Sequence, residues 1–198
     1  MKKLTFLLCA LILCVEAFAA KEYKLLSPNG KLEVTIVAEP KLSYSVKCGG
    51  EQVLAPSRIG LNICEGANLG EKITVKKVKR TSVNTEIPTK FYFRDVIKDY
   101  YNALRIDFAA RYAVEFRAYD EGVAYRFVTN FKRDFILENE IAEFAFAKDY
   151  KGYFAYSNRT GTRKDNYFTS FEGAYNHIEL SKIDSTRVSF SPAIVEVD

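Results

Sequence analysis

The chain has 198 residues, with 29 Lys and Arg against 25 Asp and Glu, one His, four Cys and no Trp, and its formal charge is +4. So mild an excess, concentrated on no segment, gives no argument for nucleic acid. A single histidine and the absence of close Cys/His spacing exclude a metal centre built from those residues.

The opening stretch MKKLTFLLCALILCVEAFAA has two lysines, an apolar run from Leu4 to Val15 and small residues ending Ala17-Phe18-Ala19. That order predicts a secretory signal peptide over residues 1–19, cleaved after Ala19, and the run is too short for a comfortable membrane span. A lipid anchor on Cys14 is the weaker reading, because Leu11-Ile12-Leu13 precede it where a small residue is required. The mature chain, 20–198, is expected to be periplasmic or secreted. Losing Lys2, Lys3 and Glu16 removes two positive charges and one negative, leaving +3. Cys9 and Cys14 leave as well, and an oxidising compartment permits a bond between the remaining Cys48 and Cys64 without requiring one.

After the turn SPNGK (Ser27 to Lys31), Leu32, Val34 and Ile36 alternate with Glu33 and Thr35, the period of a half-buried strand. Leu42, Tyr44 and Val46 repeat it before the turn Cys48-Gly49-Gly50-Glu51, and Ile59, Leu61 and Ile63 form a third set. Ile73 and Val75 read as a further strand among Lys72, Lys76, Lys77, Lys79 and Arg80, a basic cluster expected on the solvated face of an edge strand. Residues 95–104 fit a helical turn or two, yet Tyr100, Tyr101, Ile106 and Phe108 argue as readily for a strand. The clearest hairpin runs from Tyr112 to Val128, turning at Asp120-Glu121-Gly122, where Gly122 permits a positive φ. No window carries a capped apolar stripe of helical period. The prediction is an all-β, antiparallel sandwich with tyrosines and phenylalanines inside it, and one domain without repeats or linkers.

Candidate chemistry is sparse: there is no Gly-rich phosphate loop, Cys/His pair or nucleophile elbow. Asp120 with Glu121 and Glu138 with Glu140 read as turn and edge charges, since nothing brings a specific catalytic pair together. His177 is either a general base or a partly buried, hydrogen-bonded side chain. Glu172, in the stretch TSFEGAYNHI, read by itself is a solvated loop acid.

Four segments carry a resemblance: LLSPNGKLEVTI (Leu25 to Ile36), YYNALRIDF (Tyr100 to Phe108), VEFRAYDEGVAYRF (Val114 to Phe127) and SFEGAYNHIELSKI (Ser170 to Ile183). In this order they resemble the amino-terminal domain of glycoside hydrolase family 97. The third segment is the most specific, with its aromatic-rich strand, acidic turn and returning Tyr-Arg. The resemblance implies an antiparallel super-sandwich similar to galactose mutarotases, packed in the complete enzyme against a (β/α)8 barrel. It also implies a calcium-dependent, exo-acting α-glucosidase or α-galactosidase whose acid and base or nucleophile lie on that barrel, with an α-glycoside as substrate.

Aligning SFEGAY places Glu172 on the family position that gives the calcium ion one carboxylate from the sandwich, and no catalytic residue falls within the chain. Calcium takes roughly six to eight oxygen ligands, so one glutamate completes a site built elsewhere. Ile87-Pro88-Thr89-Lys90 stands where the family often has an aromatic-Gly element, which leaves the path of that loop open. SFSPAIVEVD reads as a late strand of a sandwich whose last strands are missing, so the chain alone is expected to be inactive. Two other readings remain: a free-standing carbohydrate-binding sandwich, with exposed aromatics as a sugar platform, and a structural or adhesive surface protein.

Overall fold

The computed structural model describes residues 21–64, 66, 68–157 and 173–197. Among these are twelve strands: β1 (Glu22–Leu26), β2 (Leu32–Ala38), β3 (Leu42–Cys48), β4 (Glu51–Ile63), β5 (Val75–Pro88), β6 (Val96–Phe108), β7 (Tyr112–Tyr119), β8 (Val123–Thr129), β9 (Leu137–Ala142), β10 (Lys151–Tyr156), β11 (Asn176–Glu179) and β12 (Ser189–Val195). One turn of 3₁₀ helix, Leu180–Lys182, lies between the last two. The strands form three antiparallel sheets with the orders β1-β2-β3-β4-β9, β5-β6-β7-β8 and β11-β10-β12. The all-β class and the sandwich are as the alternating pattern predicts. The proposed signal peptide and cleavage site lie outside the described residues.

The first two sheets face each other across one apolar core. Period-two alternation sends Val34, Ile36 and Ala38 of β2 and Leu42 and Tyr44 of β3 inward, all nearly inaccessible, while Glu33 and Lys47 point away. From the opposite sheet Leu104, Ile106, Val114 and Phe116 meet them, and the rings of Tyr44, Phe116 and Tyr125 form a triangle with centroids 5.7–5.8 Å apart. Such ring contacts add roughly 0.5–1.5 kcal/mol each beyond area burial.

Side chains also stitch the sheets together at one end. The Asp120 carboxylate accepts a 2.8 Å hydrogen bond from the Asn29 backbone N–H, joining the β7–β8 turn to the β1–β2 turn. Asn102 donates to the Leu26 carbonyl at 2.9 Å.

Gly49 and Gly50 link β3 to β4 with φ of +59° and +91°, the two successive positive values of a type I′ hairpin. Gly122 departs from expectation, because its φ lies outside the left-handed region. The β7–β8 chain instead reverses at Asp120-Glu121, closed by Tyr119 N–H donating to the Gly122 carbonyl at 2.8 Å.

Ile73 is buried but precedes β5 instead of belonging to it. Residues 95–104 resolve in favour of the strand, since β6 runs unbroken to Phe108. β5 is an edge strand with Lys76, Lys77, Lys79 and Arg80 exposed, which discourages pairing with another chain.

The β5–β6 hairpin outreaches its sheet. β7 pairs with β6 only over Tyr101–Asp107, so Asn84–Pro88 and Val96–Tyr100 form a two-stranded ribbon. Ile87 and Pro88 are the last residues of β5, and the connection beyond them displays Phe91, fully exposed, with Tyr92 and Phe93.

Cys48 and Cys64 are free thiols. They flank the two ends of β4, whose thirteen residues extend roughly 40 Å at about 3.3 Å each. A disulfide needs its Cα atoms within about 7 Å.

Candidate functional site

The segment holding Ser170, Phe171 and Glu172 lies outside the described residues, so the structure makes no statement about the expected calcium ligand itself. It does define the frame on either side. The chain enters from β10 and returns at Gly173 into β11, whose four residues pair with Lys151–Phe154. Asn176 donates its side-chain amide to the Phe154 carbonyl at 3.3 Å. Tyr175, three residues after Glu172, is 48 % exposed.

His177 is where the structure adds most. It sits directly opposite Tyr153 in the β10–β11 ladder, and the two rings stack at 4.2 Å with planes 3° apart. Its Nε2 lies 3.0 Å from a carboxylate oxygen of Glu196, just beyond β12. β10, β11 and the residue just after β12 therefore each contribute one side chain to a Tyr153–His177–Glu196 cluster. The expected hydrogen bond is present, but His177 is 40 % exposed instead of partly buried, because its face of the sheet is open to solvent.

The electrostatics of the cluster follow from its geometry. The hydrogen bond from His177, with that from Tyr153, holds the Glu196 carboxyl below the usual carboxylate range. The same carboxylate, hydrogen-bonded to the Tyr153 hydroxyl, pushes that phenol upward. Lys151 pairs with Glu179 at 3.8 Å on the same face. This is a solvent-facing polar lattice that ties β11 to β10 and to the end of β12, a few residues after Glu172 in sequence.

A second cluster explains the most specific of the sequence segments. Glu115 lies directly opposite Arg126 in the β7–β8 ladder and accepts hydrogen bonds from Arg126 at 3.1 Å and Arg117 at 3.2 Å. Burial pushes the Glu115 carboxyl up, but the hydrogen bonds and charges of Arg126 and Arg117 outweigh it, and the group lies below its ordinary value. Arg117 also stacks over the Tyr101 ring at 4.4 Å. The returning Tyr-Arg of VEFRAYDEGVAYRF is thus the answer to a glutamate across the ladder. Signs of opposite charge at facing register positions are the signal that finds it in sequence.

The remaining carboxylates behave as turn and edge charges. Asp120 holds the turn already described, Glu121 belongs to the same turn, and Glu138 and Glu140 lie on β9, an edge of the five-stranded sheet. Glu140 accepts from the Tyr125 hydroxyl at 3.2 Å, and burial together with this negative charge pushes Tyr125 upward. Among the described residues, no group of three or more His, Cys, Asp and Glu could hold a metal ion. Glu172 offers the carboxylate oxygen that calcium prefers and fits a donated ligand by its chemistry. No helix among the described residues is long and apolar enough to cross a membrane.

Comparison with known proteins bears directly on these segments. The profile of the family described as Glycosyl-hydrolase 97 N-terminal matches residues 25–198. A retaining alpha-galactosidase of Bacteroides thetaiotaomicron is 36 % identical over 198 residues, an alignment that takes in 99 % of this chain and 30 % of that protein. The chain thus spans less than a third of the length of this curated relative. Among solved structures, a glycoside hydrolase family 97 enzyme from Pseudoalteromonas sp. strain K8, in complex with acarbose, superposes with a TM-score of 0.61 at 24 % identity, over 70 % of this chain and 22 % of that one. A beta-arabinopyranosidase gives 0.62 at 18 % identity, over 72 % and 24 %. At such identities the two structures show the fold alone, whereas the profile covers nearly all the chain. On that ground the chain belongs to the N-terminal domain family of glycoside hydrolase family 97.

Proposed function

We propose that this chain is the amino-terminal accessory domain of a secreted, calcium-dependent, exo-acting α-glycosidase, an α-galactosidase or α-glucosidase. It contributes Glu172 as one carboxylate of a calcium site whose other ligands lie on a (β/α)8 barrel of the same polypeptide. The observation that carries this reading is the family match over residues 25–198, supported by 36 % identity to a retaining alpha-galactosidase. The described strands on either side are compatible with it: β10 and β11 pair with each other, and the lattice at His177 holds β11 in place. The calcium ion, when bound, polarises and positions the sugar. This chain's part is to present one oxygen ligand and to leave acid–base chemistry to the barrel.

The test begins with the intact mass of the native secreted protein, captured with an antibody against residues 21–157. A mass several-fold above this chain's is expected, and a mass equal to it refutes the reading. In the longer protein, Glu172→Gln is expected to weaken calcium binding by at least about tenfold in calorimetric titration. Tight calcium binding by residues 20–198 alone, lost on the same substitution, would show instead that the sandwich holds the metal by itself.

A free-standing carbohydrate-binding sandwich is the second reading. The solvent-exposed Phe91-Tyr92-Phe93 tip favours it as an aromatic platform. Binding of oligosaccharides by residues 20–198, lost in Phe91→Ala with Phe93→Ala, distinguishes it.

A further inference from the structure

The sheet of β5 to β8 ends in a cationic cleft of about 580 Å³. Lys76 and Lys77 of β5, Arg105 and Asp107 of β6, Arg111 of the β6–β7 turn and Lys132 just after β8 line it, so five cations share the cleft with one carboxylate. That carboxylate is already committed, since Asp107 accepts hydrogen bonds from Arg105 at 2.9 and 3.0 Å. Lys76, Lys77, Arg111 and Lys132 pair with no carboxylate among the described residues. Two backbone features aim these charges. The β5–β6 register shifts between Val75 and Lys77, which makes Lys76 the extra residue of a β-bulge. Successive strand side chains normally point to opposite faces, and a bulge re-aims one of them; here both lysines line the same cleft. Arg111 has a φ of +60°, a conformation that glycine or asparagine adopts at less cost. Protection of the β5 edge accounts for the two lysines, but Arg111 and Lys132 lie away from that edge.

We propose that this cleft binds a multivalent oxyanion, a sulfate or phosphate group that is free or esterified to a sugar. Like charges gathered in a concave site repel one another, and an anion of charge two relieves that repulsion from several sides at once. The Arg111 guanidinium offers a planar fork that matches two oxygens of such a group, while the lysines act as movable point charges around it. Asn130, also in the lining, adds an amide donor. The cleft's volume falls in the range of sites for small organic ligands, about 300–1,000 Å³, so it has room for a sugar that carries the anion. Every residue the site uses belongs to this chain, and the inference does not rest on the hydrolase reading.

The experiment is calorimetric titration of the natural full-length polypeptide at low ionic strength with sodium sulfate, inorganic phosphate and N-acetylglucosamine 6-sulfate. Saturating binding with a dissociation constant of about 1 mM or tighter is expected for at least one of the three. Arg111→Gln with Lys132→Gln is expected to weaken it at least about tenfold, and Lys76→Gln alone about threefold, with the circular dichroism melt retained. Lys47→Gln with Lys98→Gln removes the same charge from exposed positions elsewhere and is expected to leave binding unchanged. Tighter binding of the sulfated sugar than of the free ions supports a site for an esterified group, and equal affinities support a site for the ion itself. Absence of saturation with all three probes overturns the proposal. Equal weakening by the two double variants overturns it as well, because net charge alone then attracts the anion.

Discussion

Truncating one ring at the centre of the sandwich provides the sharpest test of the packing. Phe116 is inaccessible to solvent, with Tyr44 and Tyr125 at 5.8 and 5.7 Å and Leu104 opposite it across the β6–β7 ladder. Phe→Ala in such a site costs about 3–5 kcal/mol, from lost transfer energy and the cavity left behind. The two ring contacts place this case toward the upper half, at about 4 kcal/mol. With a urea m value of about 2 kcal/mol/M, the unfolding midpoint is expected to fall by about 2 M while m stays constant. The matched control is Phe91→Ala at the fully exposed hairpin tip, expected to change stability by less than about 0.5 kcal/mol. Equilibrium unfolding of residues 20–198, followed by circular dichroism, measures both. A loss below about 1 kcal/mol for Phe116→Ala, or equal losses for the two variants, would refute the assignment of these faces.

Other expectations follow from single contacts. Tyr112→Phe removes the hydroxyl that accepts the buried Gly70 N–H at 3.0 Å, and is expected to cost about 1–3 kcal/mol in the same assay. Gly70→Ala is expected to be worse, because Gly70 has a φ of +89° and an added Cβ would lie 2.5 Å from the Ile59 carbonyl oxygen; failure to express solubly or a large fall in melting temperature is the readout. The Glu115 carboxyl is lowered by Arg126 and Arg117, so its stabilising effect is complete above the ordinary carboxylate pKa and is lost as pH falls through the depressed folded value. Glu115→Gln should therefore lower stability at neutral pH and flatten the acid limb of a plot of urea midpoint against pH. Cys48 and Cys64 are expected to react with a thiol reagent after denaturation without prior reduction, and dithiothreitol should leave the melting temperature unchanged.

Legibility in the sequence tracked the range of the interaction. The faces of β2, β3 and β7 could be read from alternation because Val34, Tyr44 and Val114 each answer to the same sheet-wide burial. The β3–β4 turn was equally legible, since two adjacent glycines leave little else for the backbone to do. Gly122 shows the limit: a glycine permits positive φ without requiring it, and Asp120-Glu121 reverse the chain without help. Ile73 kept its burial while losing its strand, because a buried side chain in a loop looks the same to a periodicity argument as one at a strand start.

Long-range partners were not visible. The pairing of β4 with β9 reaches in sequence across the whole of the second sheet, β5 to β8, and the contact of His177 with Glu196 depends on which strands flank β10. The two cysteines illustrate the same point, since only the length of β4 reveals how far apart they lie. For the candidate site, family resemblance supplies the expected role of Glu172, which lies outside the described residues, and what the structure adds is the ladder of β11 after it.

The order of the first sheet has a bearing on how the protein is made. β1 to β4 pair with their sequence neighbours as they appear, but the outer edge of β4 waits for β9, where Ile59 meets Ala142. Between them β5 to β8 pair as consecutive hairpins, with no ladder to the first sheet. At ordinary synthesis rates of about 5–20 residues per second, the strand edge from Ile59 to Ile63 stays unpaired on the order of ten seconds. The stretch IGLNI carries no charge to deter a neighbouring nascent chain. Its vulnerability is therefore greatest before residue 142 emerges, and a substitution that slows β9 pairing, such as Ile141→Pro, would be felt as poor yield long before it was felt as lost stability.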